Sequence, residues 1–343
     1  MTLFSKSTMR CDHHLGFIRV LSLTLLACVF ITSTAQAQVE ANWPNKPIRL
    51  IAVFPPGGSV DQVARALSVQ LSAQLNQSVI VENKGGGAGS IGAASVAQAP
   101  GDGYTFGVVF DTHAVNPSLL PNMAFNTTKD LASVMLIGTS PMVLVAHASQ
   151  SFKSFRDVVS ASKAKPGSAT YGTIGSGSLG HLAMTQMANT LGLEFTHVPY
   201  RGGGPLVTDA LGGQIPLSIG TVFLMNPHIK TGKLIPLGVT SRKADPQLPG
   251  VTPIAEQGIP ALSNFEAVAW WGVIAPASTS PALIKRMNEE LAKALKNPAV
   301  AEKLGSQGLD ILSSSPAQMD AFLRTEIERW GKVVRENKIK AGD

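Results

Sequence analysis

Ile48-Arg49-Leu50-Ile51-Ala52-Val53, running into Phe54-Pro55-Pro56-Gly57-Gly58-Ser59-Val60-Asp61, is the stretch that decides the fold. The first six residues form an apolar run of strand length, and two prolines and two glycines then force a turn. Beyond it Val60, Val63, Ala64, Leu67, Leu71 and Leu75 recur at helical spacing on one face. A strand therefore passes through a glycine turn into a helix, with Ser59 as N-cap and Gln62 completing a capping-box pattern. Glycines ahead of a helix leave backbone N–H groups bare, and the helix dipole makes such a turn an anion site. Gly57, Gly58, Ser59 and Val60 are the candidate donors to a carboxylate or phosphate; the alternative is a capped turn without a ligand. Asp61, in the first helical turn, is stabilised by the dipole and reaches Arg65 at i+4. Beside an anion site it suits a ligand ammonium group, a water or backbone.

Working outward, strand-like and helix-like patterns alternate along the chain, which argues for an α/β protein with a largely parallel sheet. The opening unit recurs: Thr170–Gly172 is a short strand, Gly175-Ser176-Gly177-Ser178 a glycine turn, and a helix follows from Leu179 to Leu191. Units at 48–75 and 170–191 point to two similar lobes facing one another. Leu136–Thr139 and Met142–Ala146 read as crossing strands near a domain boundary, and Leu248–Pro260, rich in Pro and Gly, as a return connection. Pro281–Leu295 and Pro316–Asn337 read as long amphipathic helices with Pro near their starts.

Several motifs carry candidate chemistry. Ser176 and Ser178 can donate to an anion or cap their helix, but neither sits in Gly-x-Ser-x-Gly, so a nucleophile elbow is absent. His181, on the first turn of that helix, reads as structural. Gly87-Ala88-Gly89-Ser90-Ile91-Gly92 matches the dinucleotide fingerprint, follows a strand, opens a helix and is trailed by Asp111. This makes an exported Rossmann-like oxidoreductase the alternative reading; a helix cut short at Ala99-Pro100-Gly101 weakens it. Arg201, in Pro199-Tyr200-Arg201-Gly202-Gly203-Gly204-Pro205, can clamp a carboxylate through two N–H groups or stand in solvent. The histidines show no metal-ligand spacing, and neither a metal nor a cofactor is expected.

The N-terminus addresses location. Lys6, Arg10 and Arg19 precede an apolar run from Val20 to Ile31 that is too short to span a bilayer stably, and Ala35-Gln36-Ala37 reads as a cleavage site. Residues 1–37 are thus expected to be a secretory signal cleaved near Ala37-Gln38; cleavage before Cys28, as in a lipoprotein, is the alternative. Both cysteines, Cys11 and Cys28, fall in this segment, so the mature chain is expected to have no disulfide and must be held by its core. The net charge of +6 loses part of its excess with the signal, and no basic block suggests nucleic acid.

Taken in order, several stretches resemble the Bug family, the periplasmic solute receptors of tripartite tricarboxylate transporters. They are the Val53–Asp61 turn, Glu82-Asn83-Lys84 with its glycine loop, Ala114-Val115-Asn116-Pro117-Ser118-Leu119, Gly175-Ser176-Gly177-Ser178 with His181-Leu182, and Pro199-Tyr200-Arg201-Gly202-Gly203. Leu211-Gly212-Gly213-Gln214 and a tail built on Pro316, Phe322, Glu326 and Trp330 complete the set. The resemblance covers the mature chain and implies a two-lobed, periplasmic-binding-protein-like α/β fold (type II-like). Each lobe would be a mixed, mostly parallel sheet flanked by helices, with a ligand cleft between them. Lobe 1 would comprise 38–140 plus 252–343, and lobe 2 141–251. It implies a non-enzymatic protein that captures a dicarboxylate, acidic amino acid or aromatic carboxylate and delivers it to the membrane subunits of a transporter. The anchoring loops map onto Phe54–Ser59 with Asp61, and onto Thr173–Ser178 (Thr173, Gly175, Ser176, Gly177, Ser178), with apolar contact from Phe54 and Phe223. Glu82-Asn83-Lys84-Gly85-Gly86 and Asp111-Thr112-His113 depart from the family pattern beside the presumed cleft; His113, in the second of them, joins Arg201 among the candidate ligand contacts.

Overall fold

In the computed structural model, which describes residues 42–340, the apolar run becomes β1 (Ile48–Ala52), with Ile48, Leu50, Ile51 and Ala52 all buried. The expected signal (1–37), its cleavage site, Cys11 and Cys28 lie outside the described residues. Burial on both faces is what a parallel strand covered by helices requires, and β1 pairs in parallel with both of its neighbours.

The remaining elements follow in chain order. α1 (Ser59–Leu75), β2 (Val79–Asn83), α2 (Ser90–Ala97), β3 (Thr105–Phe110), α3 (Thr112–Leu119) and β4 (Leu131–His147) make up the first part. The middle holds α4 (Phe155–Ala164), β5 (Thr170–Thr173), α5 (Leu179–Leu191), β6 (Thr196–Pro199), α6 (Gly203–Leu211), β7 (Leu217–Thr221), α7 (Val222–Lys230) and β8 (Leu234–Val239). Last come β9 (Val268–Pro276), α8 (Pro281–Lys296), α9 (Pro298–Gly305), β10 (Asp310–Ile311) and α10 (Pro316–Glu336).

The strand order is β2-β1-β3-β9-β4-β7-β5-β6, with β8 and β10 also pairing to β4. β4 joins two half-sheets. Leu131–Pro141 pairs antiparallel with β9, whereas Met142–His147 pairs with β7 and β8. The expected pair of crossing strands is therefore one continuous strand. Pro141 marks the change of partner, because it has no N–H for a ladder bond. Beside it, Met142 N–H donates to the Thr240 hydroxyl at 2.9 Å and Thr240 N–H returns to the Met142 carbonyl at 2.9 Å.

In the first half-sheet β1 lies between parallel neighbours β2 and β3; in the second, β5 lies between parallel neighbours β6 and β7. The two strand–glycine turn–helix units thus occupy equivalent places. A further equivalence was hidden in the sequence. β3 leads into α3 and β7 into α7, and each of these helices carries an internal Asn-Pro, Asn116-Pro117 and Asn226-Pro227. Each Asn donates to a distant carbonyl, of Ala88 at 3.1 Å and of Ser306 at 3.2 Å. Proline is a helix breaker in an interior, so neither segment reads as a helix from sequence. β7 and α9 were likewise not expected.

The largest fully buried side chains include Trp270, Trp271, Trp330, Phe106 and Phe110. Phe110 packs against Trp271 in a tilted pair with centroids 4.9 Å apart, and Trp271 meets Phe223 edge-on at 5.5 Å. Among the described residues no helix is long and apolar enough to cross a membrane.

Candidate functional site

In open α/β sheets ligands bind beyond the carboxyl ends of parallel strands. Both such sets of strand ends, β1/β2 and β5/β6, open onto one cavity of about 750 Å³. From the first half it is lined by Phe54, Pro55, Pro56, Asn83, the Gly85–Ala88 loop, Thr112, Leu119 and Leu120. From the second half come Ile174, Gly175, Ser176, Ser178, Pro199, Tyr200 and Arg201. A separate depression of about 600 Å³ near Lys153, Arg156 and Glu256 shares none of these loops.

The turn after β1 is held from behind. Asp61 Oδ2 accepts from Gly57 N–H at 3.0 Å, and Asp61 Oδ1 accepts from Arg65 Nε and from Asn83 Nδ2, both at 2.9 Å. Asn83 also donates to the Phe54 carbonyl at 3.0 Å, which ties the turn to the end of β2. Burial opposes the Asp61 charge, but the Arg65 guanidinium, the Gly57 N–H and the Asn83 amide outweigh it and hold the carboxyl below its usual range. These bonds correct two sequence expectations. Gly58, not Ser59, is the N-cap of α1, and it makes no side-chain cap; the Gln62 side chain donates to the Gly57 carbonyl at 3.1 Å instead. The Gly57 N–H, expected to face an anion, is taken by Asp61.

Gly57, Gly58, Ser59 and Asp61 lie outside the cavity lining. The glycines have another neighbour. A Cβ on Gly58 would sit 3.4 Å from Gly203 N, and one on Gly204 would sit 2.7 Å from the Pro56 carbonyl oxygen. The Pro55–Gly58 turn and the start of α6 therefore meet backbone to backbone.

In the second half Thr173 is fully buried; its hydroxyl accepts from Gly175 N–H at 3.1 Å and contacts His197 Nε2 at 2.8 Å. Ser178 caps α5 by accepting from His181 N–H. Gly177 N–H donates to His181 Nδ1 at 3.1 Å, so that nitrogen carries a lone pair, and the His181 ring stacks on His197 at 4.1 Å. Thr173 and His181 thus shape the loop from below, and Ser176 and Ser178 reach the cavity. Gly177 has φ +75° and packs on the Leu119 side chain at the end of α3, so it too stays off the lining.

Of the expected ligand contacts, Phe54, Gly175, Ser176, Ser178 and Arg201 line the cavity. Phe223 does not, being buried against Trp271, three aromatic contacts away from Phe54. His113 is also off the lining, buried and stacked on Phe125 at 6.3 Å. Sequence reasoning put Gly85 and Gly86 beside the cleft but missed Gly87 and Ala88 as cavity wall. The parallel register of Ala52 with Asn83 puts the turns after β1 and β2 side by side, which the sequence alone does not reveal. The fingerprint glycines have packing duties: a Cβ on Gly92 would strike the Lys84 carbonyl oxygen at 2.6 Å. Asp111, the acid a ribose would need, is completely buried and outside the lining.

His113 carries a pH prediction. Burial lowers its pKa from 6.5 to about 4. Between those values the unfolded imidazole binds a proton that the folded one refuses. This contribution to stability is therefore complete above pH 6.5 and is lost as the pH falls towards 4, by roughly 3 kcal/mol in all. Comparing chemical denaturation of the parent and His113→Gln at several pH values should show that slope vanish from the variant; an unchanged slope refutes the assignment.

Comparison with known proteins agrees with the geometry. Residues 63–339 match the family model described as the tripartite tricarboxylate transporter family receptor. Protein BugT of Bordetella pertussis (strain Tohama I) is 34% identical over 321 residues, covering 93% of this chain and 98% of BugT. R. palustris Rpa4515, solved with adipate, superposes with a TM-score of 0.83 at 32% identity, covering 87% of this chain and 99% of that one. MatC of Rhodopseudomonas palustris, solved with bound malate, gives 0.79 at 26% identity, with 85% and 100% covered.

Proposed function

The chain belongs to the tripartite tricarboxylate transporter receptor family, and we propose that it captures a small organic carboxylate in the cavity between its half-sheets and delivers it to the membrane subunits of such a transporter. The observation that carries this reading is the convergence of loops from both parallel strand sets on one cavity whose only charged lining residue, among the described residues, is Arg201. A ligand touching both sets favours the arrangement in which they approach, and membrane partners can recognise that arrangement.

On this reading residues 38–140 with 252–343 form one lobe and 141–251 the other. The crossings run through Pro141-Met142 and through the stretch between Thr240 and Ala267, where Ala267 N–H donates to the Thr240 carbonyl at 3.1 Å. Buried Thr240 contacts both crossings and serves as the hinge pin. The periplasm, reached by the 1–37 signal, is the proposed location. The protein acts as a receptor without catalysis, since family and fold are those of solute receptors.

Thermal unfolding against a panel of organic acids tests this. At a hundredfold excess over Kd a ligand adds about 2.7 kcal/mol, which for a domain of this size is a rise of several degrees in Tm. A melt that no carboxylate moves, but that a nicotinamide dinucleotide does, would return the glycine loop to the oxidoreductase reading.

A further inference from the structure

We propose that the cavity selects a monocarboxylate with a bulky apolar body, such as a ring, over a short dicarboxylate, and that Arg201 is the charge partner of its one carboxylate. The inference rests on reading the cavity as a carboxylate site.

Charge comes first. Among the described residues no Asp, Glu, Lys or His lines the cavity, and Arg201 is exposed and makes no ion pair with any of them. A planar guanidinium facing a space without acids is satisfied by one carboxylate through paired N–H bonds. A second carboxylate enclosed in the same space would have no cation, and enclosing an unpaired charge is costly.

The polar side chains nearby are largely committed. Asn83 is spent on Asp61, Arg65 and the Phe54 carbonyl. The Ser178 hydroxyl caps α5. Thr112 is 1% exposed, so its hydroxyl offers little to a ligand. Besides Ser176 and the glycine backbone, the wall is built of apolar and aromatic side chains from both halves: Phe54, Pro55 and Leu120 on one side, Ile174, Pro199 and Tyr200 on the other. Apolar surface on two opposed sides rewards a ligand with a hydrophobic body rather than a second polar end. At about 750 Å³ the cavity falls in the ~300–1,000 Å³ range of sites that enclose drug-sized ligands. A four-carbon diacid would leave most of it to water.

The test is calorimetry with two matched series: benzoate, phenylacetate and cyclohexanecarboxylate against succinate, malate and adipate. The expected result is that the best ring monocarboxylate binds at least tenfold more tightly than any of the diacids. Arg201→Gln should then weaken it at least tenfold, about 1.4 kcal/mol, while Arg201→Lys, which keeps the charge, recovers part of the loss. The preference of the parent for a ring carboxylate over its primary amide should collapse in Arg201→Gln, a coupling that loss of packing alone would not produce. Tighter binding of a diacid, or equal binding by Arg201→Gln, overturns the inference and leaves the receptor reading standing. If neither series binds, both fall.

Discussion

A Gly204→Ala variant is expected to fold as the parent does and to bind its carboxylate at least tenfold more weakly. The two halves of that expectation come from opposite effects of one methyl group. Gly204 lies in the first turn of α6, where replacing Gly by Ala ordinarily stabilises a helix by up to about 1 kcal/mol. Where α6 meets the β1 turn, however, the new Cβ would stand 2.7 Å from the Pro56 carbonyl oxygen. That neighbour is backbone in a turn already pinned by Asp61, Asn83 and Gln62, so it has little room to give. The surrounding glycines repeat the constraint, since a Cβ on Gly203 would meet Gly58 Cα at 3.2 Å and one on Gly202 would meet Pro55 Cδ at 3.0 Å. Ala therefore favours any arrangement in which the β1 turn and α6 stand apart. Because the Pro56 carbonyl has little room to give, Ala penalises the approached one by the upper part of the ~1–3 kcal/mol typical of overpacking, and each ~1.4 kcal/mol is a tenfold loss of affinity. Calorimetry measures the affinity and a melt without ligand measures the fold. An unchanged affinity would show that the approach of these loops has no part in binding.

This contact also shows how far the sequence could be read. The β1 turn, its helix and the matching unit at β5 were legible because apolar periodicity and paired glycines leave local marks. The place of those glycines was not legible. Bare backbone beside a helix start suits an anion, a folded-back carboxylate or a second backbone equally, and only the fold brings Asp61 to Gly57 and Gly203 to Gly58. For the same reason five expected ligand contacts, Phe54, Gly175, Ser176, Ser178 and Arg201, reach the cavity, whereas Phe223 and His113 pack behind it. Residue type does not reveal on which side of a core an aromatic ring falls. Pro141 split β4 in the reading, and Pro117 and Pro227 hid two helices, because each proline removes one bond from an element that tertiary packing keeps intact.

Asp111→Asn is expected to raise Tm by several degrees at pH 7 and to leave it unchanged near pH 4. Asp111 is completely buried where β3 meets α3, and neither carboxylate oxygen makes a hydrogen bond of good geometry. Burial raises its pKa well above the usual range; the Leu179 and Thr112 N–H groups pull the other way, and the charge of Glu326 adds to the rise. In the unfolded chain the same carboxyl ionises near pH 4. Above that point unfolding releases a proton, so this group lowers stability as the pH rises from about 4 through its folded pKa, after which the loss is constant. Asn keeps the shape and removes the ionisation. Its gain at neutral pH should be on the order of 1–3 kcal/mol, the scale of a buried polar group freed from incomplete bonding. The opposing slope of His113 cancels in the comparison, because both proteins keep that residue. Leu179 begins α5 while Asp111 lies between β3 and α3, so these groups belong to opposite half-sheets. Any separation that rehydrates Asp111 lets it ionise, and ligand capture then takes up a proton. Between pH 6 and 8, where a simple carboxylate ligand stays ionised, parental affinity should fall as the pH rises and the Asn variant should show a flatter profile. A Tm difference independent of pH would mean that Asp111 is not the titrating group, and parallel affinity profiles would confine its effect to folding.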